Sequence, residues 1–362
     1  MKKDVISFNK KLVLTINLLL FAVIGTAQEK VIKLSFKHVA KVNKDAVKTL
    51  QSVVKVRDIS EQYSTGGLYL MTHYGNLNDL FNKENQKAID NPMIETWRFC
   101  SIFSTRNGNP VIMGRNWDNQ NVGSIIVSLY KPPNSYASIS FSRAIDMGFP
   151  LNVRLDEMAQ SSYGEKLLTA PFYAYDGINE HGLCAAVTGI KTVKIKPKKD
   201  KDMVFVGYLI RKLLDQTKSV DEAVKFVEKY IPFDLNKTSL SCHFYIVDQT
   251  GKSVILEYQN DEWKKIYSDR LWQIMTNKPI YHVPEAALIK NCWRYKKIAE
   301  SLENKNGKVD WLGGMQLLRA VSQKGTTWSI IYSPPSRDIY FSVYQTWGKI
   351  YHLNTFSTGM EK

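Results

Sequence analysis

Short alternating apolar runs, each bounded by Asn, Gly, Pro or Ser, fill both halves of this chain, and two consecutive helix patterns sit between them. Period-two alternation predicts strands at residues 101–103 and 111–113, 125–129 and 137–141, 183–187, 242–247 and 253–258, 272–275, 328–332 and 339–343. Residues 205–214 carry a helical apolar face, and Ser219-Val220-Asp221-Glu222 is a capping box opening a second helix that runs to Tyr230. Two later helices follow at residues 293–302 and 311–321. Strands, a helical middle, then more strands with helices between them predict a layered α+β sandwich. The order is not the regular alternation of a doubly wound sheet. Gly66-Gly67 and Gly313-Gly314 lack the spacing of a phosphate cradle, so a nucleotide site is not expected.

The chain begins with what reads as an export signal. Lys2, Lys3, Lys10 and Lys11 form a basic region, residues 12–24 an apolar run, and Gly25-Thr26-Ala27 a small-x-small cleavage site. The apolar run is short for a membrane span and is broken by Asn17, and no cysteine follows it to carry a lipid. Residues 1–27 are therefore expected to be removed before Gln28, leaving an exported, soluble protein without stable membrane insertion. Residues 28–99 read as a propeptide or N-terminal cap: amphipathic helix over much of 28–59 (including Ala46, Val47, Leu50, Val53 and Val54), a strand at 68–71 and a helix at 77–88. Residues 100–362 form the main domain, within the size range of one large core.

A net charge of +15 invites a nucleic-acid reading, but the lysines are spread along the chain and match no binding motif. The densest run, residues 191–201, contains Pro197 and Asp200 and reads as a solvated loop. Cys100, Cys184, Cys242 and Cys292 have neither a CxxC pair nor zinc spacing, so no metal site is expected. Outside the cytoplasm these cysteines can form disulfides.

Cys100 stands just before an alternating run, and Asn107-Gly108 supports a hairpin turn that brings Arg115 and Asp118 back beside it. A thiol, a guanidinium and a carboxylate on paired strands can make a nucleophile site. A buried core cysteine next to a structural ion pair is the plainer alternative.

Five landmarks in order change that balance. They are Cys100-Ser101 with Gly114-Arg115-Asn116-Trp117-Asp118, the run from Tyr175 to Leu183 (YDGINEHGL), Trp272-Gln273-Ile274-Met275-Thr276-Asn277, Cys292-Trp293-Arg294-Tyr295, and Thr327-Trp328-Ser329. Together they resemble the linear-amide C–N hydrolases, which include choloylglycine hydrolases, penicillin V acylases, acid ceramidase-like amidases and acyl-CoA:6-aminopenicillanic acid acyltransferases. The resemblance spans residue 69 to the C-terminus. It implies a four-layer αββα N-terminal-nucleophile fold and no cofactor. It also implies Cys100 as nucleophile with its freed α-amine as base, and Asp118 orienting that amine. Arg115 is then the fixed charge beside the thiol, Asn277 the side-chain oxyanion donor, and Arg294 a source of positive potential.

A second oxyanion donor is expected from the backbone at Thr188-Gly189, where bile salt hydrolases usually have an Asn or Tyr. Read singly, Asn277 is a turn residue, Arg115 with Asp118 an ion pair, and Arg294 a helix-surface arginine. Asp176 and Asn179 are expected to shape a turn, and His181 and His243 to be structural or exposed. Because signal removal leaves Gln28 first, an amine base requires a second cut at Phe99–Cys100. The substrate implied is a small linear amide with an apolar acyl group. An acyltransferase on the same site is the alternative, and a non-catalytic exported binding protein a further one. Nothing in the sequence fixes the oligomeric state.

Overall fold

A computed structural model describes residues 30–34, 45–58, 66–90, 100–107, 110–119, 123–234, 236–354 and 356. The expected signal peptide, residue 99 and the tip of the hairpin after Cys100 lie outside these residues.

Two large sheets stack face to face. The seven-stranded sheet runs Lys30–Lys33, Lys349–Leu353, Asp338–Val343, Thr326–Ser333, Ile112–Asp118, Ser101–Thr105 and Trp272–Met275. The nine-stranded sheet runs Glu262–Ile266, Ser253–Gln259, Ser239–Val247, Cys184–Lys194, Asp176–Asn179, Ser138–Arg143, Ile125–Tyr130, Gly67–His73 and Val54–Asp58. Helices Trp293–Asn304 and Trp311–Ala320 cover the outer face of the first sheet, and Val206–Gln216 covers the second, giving the α+β, αββα layering expected. Strands in the middle of this stack have both faces covered, so Ile112–Asp118 and Thr326–Ser333 are buried at every position.

The inner faces meet through aromatics. Trp117 stacks on Trp328 at 4.5 Å, Tyr175 lies 4.9 Å from Trp117, and Phe141 packs on Trp328 and Tyr332. Each such pair adds about 0.5–1.5 kcal/mol beyond the burial of its area. Two glycines of the YDGINEHGL run have steric reasons. A Cβ on Gly177 would come within 2.5 Å of the Ile139 carbonyl oxygen, and Gly182 adopts φ +79 with its Cβ position 2.2 Å from the Pro334 carbonyl oxygen.

The helices after Cys100 start at their local signals, but the one opened by Ser219 ends at Val227 rather than Tyr230, because Tyr230–Phe233 pairs as a strand with Asp202–Phe205. Ser219 Oγ accepts from the Glu222 N–H, starting Val220–Val227, and Asp310 Oδ1 accepts from the Gly313 N–H, starting Trp311–Ala320. The segment before Cys100 keeps the expected strand (Gly67–His73) and second helix (Asn78–Asp90) but departs from the helical expectation for 28–59. Among its described residues the helix Asp45–Gln51 ends where Ser52 Oγ donates to the Thr72 carbonyl and accepts from the Thr72 N–H, tying the helix end to the Gly67–His73 strand. Residues 54–58 then pair antiparallel with that strand, and Lys30–Lys33 pairs parallel with Lys349–Leu353. The segment thus forms one edge of each sheet. Likewise, residues 191–194 extend the Cys184–Lys194 strand rather than starting a loop.

All four cysteines are buried and free, so the open question of disulfides is answered: none forms.

Candidate active site

The register of the first two strands after the cysteine places Ser101 opposite Asn116 and Ile102 opposite Arg115. Alternation therefore turns the Cys100 side chain toward the gap between the sheets, on the side of Arg115 and Trp117. Arg115 Nη2 lies 4.0 Å from Cys100 Sγ. The same guanidinium pairs with Asp176 at 2.6 Å and donates to the carbonyls of Tyr175 and Val187 at 2.6 and 2.7 Å. Asp176 also accepts from Trp328 Nε1 and from the Tyr332 hydroxyl. Arg115 is thus locked in place with its charge shared by a buried carboxylate. The consequence shows at the thiol. Burial pushes the Cys100 pKa up, and the opposing pull of Arg115 does not overcome it. The neutral thiol is the form that this burial favours.

Asp118 ends the same strand and, by alternation, points away from Arg115 toward the helix layer. Thr326 Oγ1 donates to its Oδ1 at 2.6 Å and Gln323 Nε2 to its Oδ2 at 2.7 Å. Burial still raises its pKa to about 6, against these bonds and the more distant charges of Arg294 and Arg115. Such a carboxyl, held between neutral donors, is suited to receive a cation.

Asn277 follows the Trp272–Met275 strand and is only half-buried, whereas Cys100, Arg115, Asp118 and Arg294 are buried. Its Nδ2 donates to the Gly189 carbonyl at 2.7 Å and to Thr188 Oγ1 at 3.1 Å. Arg294 enters from the first turn of its helix. Its Nη2 donates to Asn277 Oδ1 at 2.9 Å, and its Nη1 donates to the Cys100 carbonyl and, at 2.9 Å, to Ser101 Oγ. One guanidinium therefore ties the backbone of the cysteine to the side chain of the asparagine and fixes which way the amide faces. Among the described residues, no group of three or more His, Cys, Asp or Glu side chains could hold a metal ion. No described helix is long and apolar enough to cross a membrane.

The profile of the linear amide C–N hydrolases, choloylglycine hydrolase family, matches residues 100–318. The chain belongs to that family. Two variants of the conjugated bile acid hydrolase from Clostridium perfringens share its fold, with TM-scores of 0.54 and 0.53 at 13% and 14% identity; each match covers 73% of this chain and 94% of the other. Penicillin V acylase from Agrobacterium tumefaciens is 15% identical with a TM-score of 0.49, over 71% of this chain and 86% of its own. No curated protein sequence matches the chain. As a choloylglycine hydrolase family member, the protein is a hydrolase acting on linear amide C–N bonds.

Within this linear-amide hydrolase the five residues singled out from sequence are brought into one constellation, from three separate stretches of chain. Arg294, readable as a surface arginine, is buried and bridges two of the others. Asn179 shapes the turn as expected, its Oδ1 accepting from the His181 and Leu183 N–H groups. Asp176 does not: it lies on a strand and is the buried counter-ion of Arg115. Thr326 and Gln323, the donors to Asp118, went unnoticed because they lie about 200 residues away along the chain with no local motif.

Proposed function

We propose that this family member is an exported amidase with Cys100 as nucleophile and the freed α-amine of Cys100 as general base. The observation that carries the reading is Arg294, which joins the Cys100 carbonyl to the Asn277 side chain and so couples a thiol to an amide donor. The base comes from a cut at Phe99–Cys100. The thiol attacks the carbonyl carbon of residue 99, that C–N bond breaks to leave the Cys100 amine, and water hydrolyses the resulting thioester. The freed α-amine is held by Asp118, whose pKa burial raises to about 6.

With substrate, the amine takes the thiol proton as Sγ attacks the amide carbonyl, and the oxyanion displaces Thr188 Oγ1 or the Gly189 carbonyl as the acceptor for Asn277 Nδ2. The leaving nitrogen collects the proton, and water releases the acid from the thioester. Arg115 supplies the fixed positive charge beside Sγ. An α-amine suits this role because its reference pKa of about 7.7–8.0 lies near working pH. Export rests on the signal-like residues 1–27. An apolar acyl group is the substrate feature favoured by the many aromatic residues of the chain, and the lack of Asn or Tyr at Thr188-Gly189 favours acyl groups other than bile acids. Residues 28–99 read as a retained segment rather than a discarded one, since their strands Lys30–Lys33 and Val54–Asp58 form an edge of each sheet.

Intact mass of the purified protein, compared with Cys100→Ala, tests the reading. Wild type is expected to split between residues 99 and 100 while the variant stays whole, and only wild type should turn over penicillin V, glycine-conjugated bile salts or N-acyl amino acids. An uncut wild type that hydrolyses amides would remove the amine from the mechanism, and no turnover of any amide would remove the enzyme reading of this site.

A further inference from the structure

Beneath the Asn277 loop lies a second buried polar pair that the proposed mechanism does not use. His243 is on the Ser239–Val247 strand, directly opposite Thr188 in the register, and is fully buried with Glu257. Its Nδ1 lies 3.1 Å from Glu257 Oε1 and its Nε2 2.8 Å from the carbonyl oxygen of Thr276, the residue before Asn277. Glu257 reaches the other side of the asparagine. Oε1 accepts from the Ile280 N–H at 2.7 Å, and Oε2 from the Tyr281 N–H at 3.3 Å and from Gln259 Nε2 at 2.6 Å.

The donor and acceptor inventory fixes the contacts. Burial works to raise the Glu257 pKa, but His243 and the two backbone amides outweigh it and bring it down, so the carboxylate is ionised. The Thr276 carbonyl only accepts, so His243 Nε2 carries a proton and donates to it, while Nδ1 faces the carboxylate. A buried polar pair of this kind is a poor source of net stability, because its desolvation offsets most of the attraction. It is well suited to fixing geometry. Here it grips the backbone one residue before Asn277 and three and four residues after it.

We propose that the His243–Glu257 pair is a positioning device for the oxyanion asparagine: it holds the backbone around residues 276–281 so that Asn277 Nδ2 is presented beside Thr188. The inference rests on the reading of Asn277 as the oxyanion donor. Neither His243 nor Glu257 touches the thiol or a substrate; both act through the loop.

The test is Glu257→Gln, which keeps size but places an N–H against at least one of the donors now converging on the carboxylate. A displacement of the donor of about 1 Å is expected to lower kcat by ~10²-fold with KM nearly unchanged. In an Asn277→Ala background the same change should cost nothing further, since both act through one group. Multiplying losses in that cycle, or a rise in KM with kcat intact, would overturn the proposal.

Amide hydrogen exchange, read by fragment mass spectrometry, gives an answer independent of activity. Protection at Ile280 and Tyr281 should fall in Glu257→Gln while the central strands stay protected, and unchanged protection there defeats the proposal. A wild type without amide turnover whose exchange still responds at 280–281 separates failure of the amidase reading from failure of the loop-holding one; it overturns the catalytic role of the pair. If Glu257→Gln does not fold, His243→Gln takes its place, because a carboxamide cannot span Glu257 and the Thr276 carbonyl as the ring does.

Discussion

Of the arginine–aspartate pairs buried among the described residues, Arg115–Asp176 sits in the candidate site and Arg211–Asp215 does not. Arg115 meets Asp176 at 2.6 Å between the sheets, and Arg211 meets Asp215 at 2.6 Å under the outer helix layer. Both guanidinium groups are fully buried. Around Arg211 stand the Ser138 hydroxyl, the ring of Tyr130 and, acting through space, His73, whose pKa is lowered to about 3 by burial and then by Arg211. These groups keep their protons where they are at neutral pH. The remaining edge of Arg115 faces Cys100 instead, with Asp118 and the Arg294–Asn277 bridge beyond it. A buried ion pair alone marks nothing; the group placed at its free edge decides between architecture and chemistry.

The sharpest way to break this comparison is to remove each arginine. Arg115→Met and Arg211→Met should each cost about 3–5 kcal/mol in denaturant unfolding, because each strands a buried carboxylate. Turnover per folded molecule should collapse only for Arg115→Met. An equal loss of kcat in Arg211→Met would erase the distinction. Next in size, Asn277→Ala should lower kcat by ~10²–10³-fold, the usual cost of an oxyanion donor, with little change in stability.

Asp118 gives a pH signature. Its pKa rises from 3.8 to about 6 on folding, so the folded chain holds a proton that the unfolded chain gives up. The associated stability is present below about pH 4 and is lost as pH climbs through about 6. In the uncut Cys100→Ala background, Asp118→Asn should therefore be more stable than its parent at pH 8 by up to about 3 kcal/mol, with the two converging at pH 4. Thermal melts across pH test the sign, and a variant less stable at pH 8 would refute it. The smallest effect is expected from Thr326→Val. Losing one donor to Asp118 Oδ1 should move the crossover upward by about one pH unit.

What could be read from the sequence divides by range. The alternating strands, the capped helices and the five ordered motifs are local signals, and the layering, Cys100, Arg115, Asp118, Asn277 and Arg294 follow from them. The parts that escaped are set by pairing between distant segments. Lys30–Lys33 is a four-residue, lysine-rich strand that exists because Lys349–Leu353 offers it an edge, and nothing in its own pattern distinguishes it from a helix turn. Val53 and Val54 fit a helical stripe, yet Ser52 ends the helix by bonding to residue 72. Asp176 looked like turn chemistry because it precedes a glycine, and only the neighbouring sheet shows that it answers Arg115. His243 could have been suspected from its place inside an apolar strand run, where an imidazole needs partners, but Glu257 and the Thr276 carbonyl come from two other segments.

The sheet edges formed before Cys100 would give the proposed cut a kinetic consequence. In the continuous chain, Lys30–Lys33 and Gly67–His73 find their neighbours within one molecule. If the proposed cut is made, folding from denaturant becomes an encounter between two polypeptides, and its yield depends on dilution. The polypeptide would then have to assemble before it is divided, and a cut enzyme unfolded at low concentration would lose the means of finding its way back.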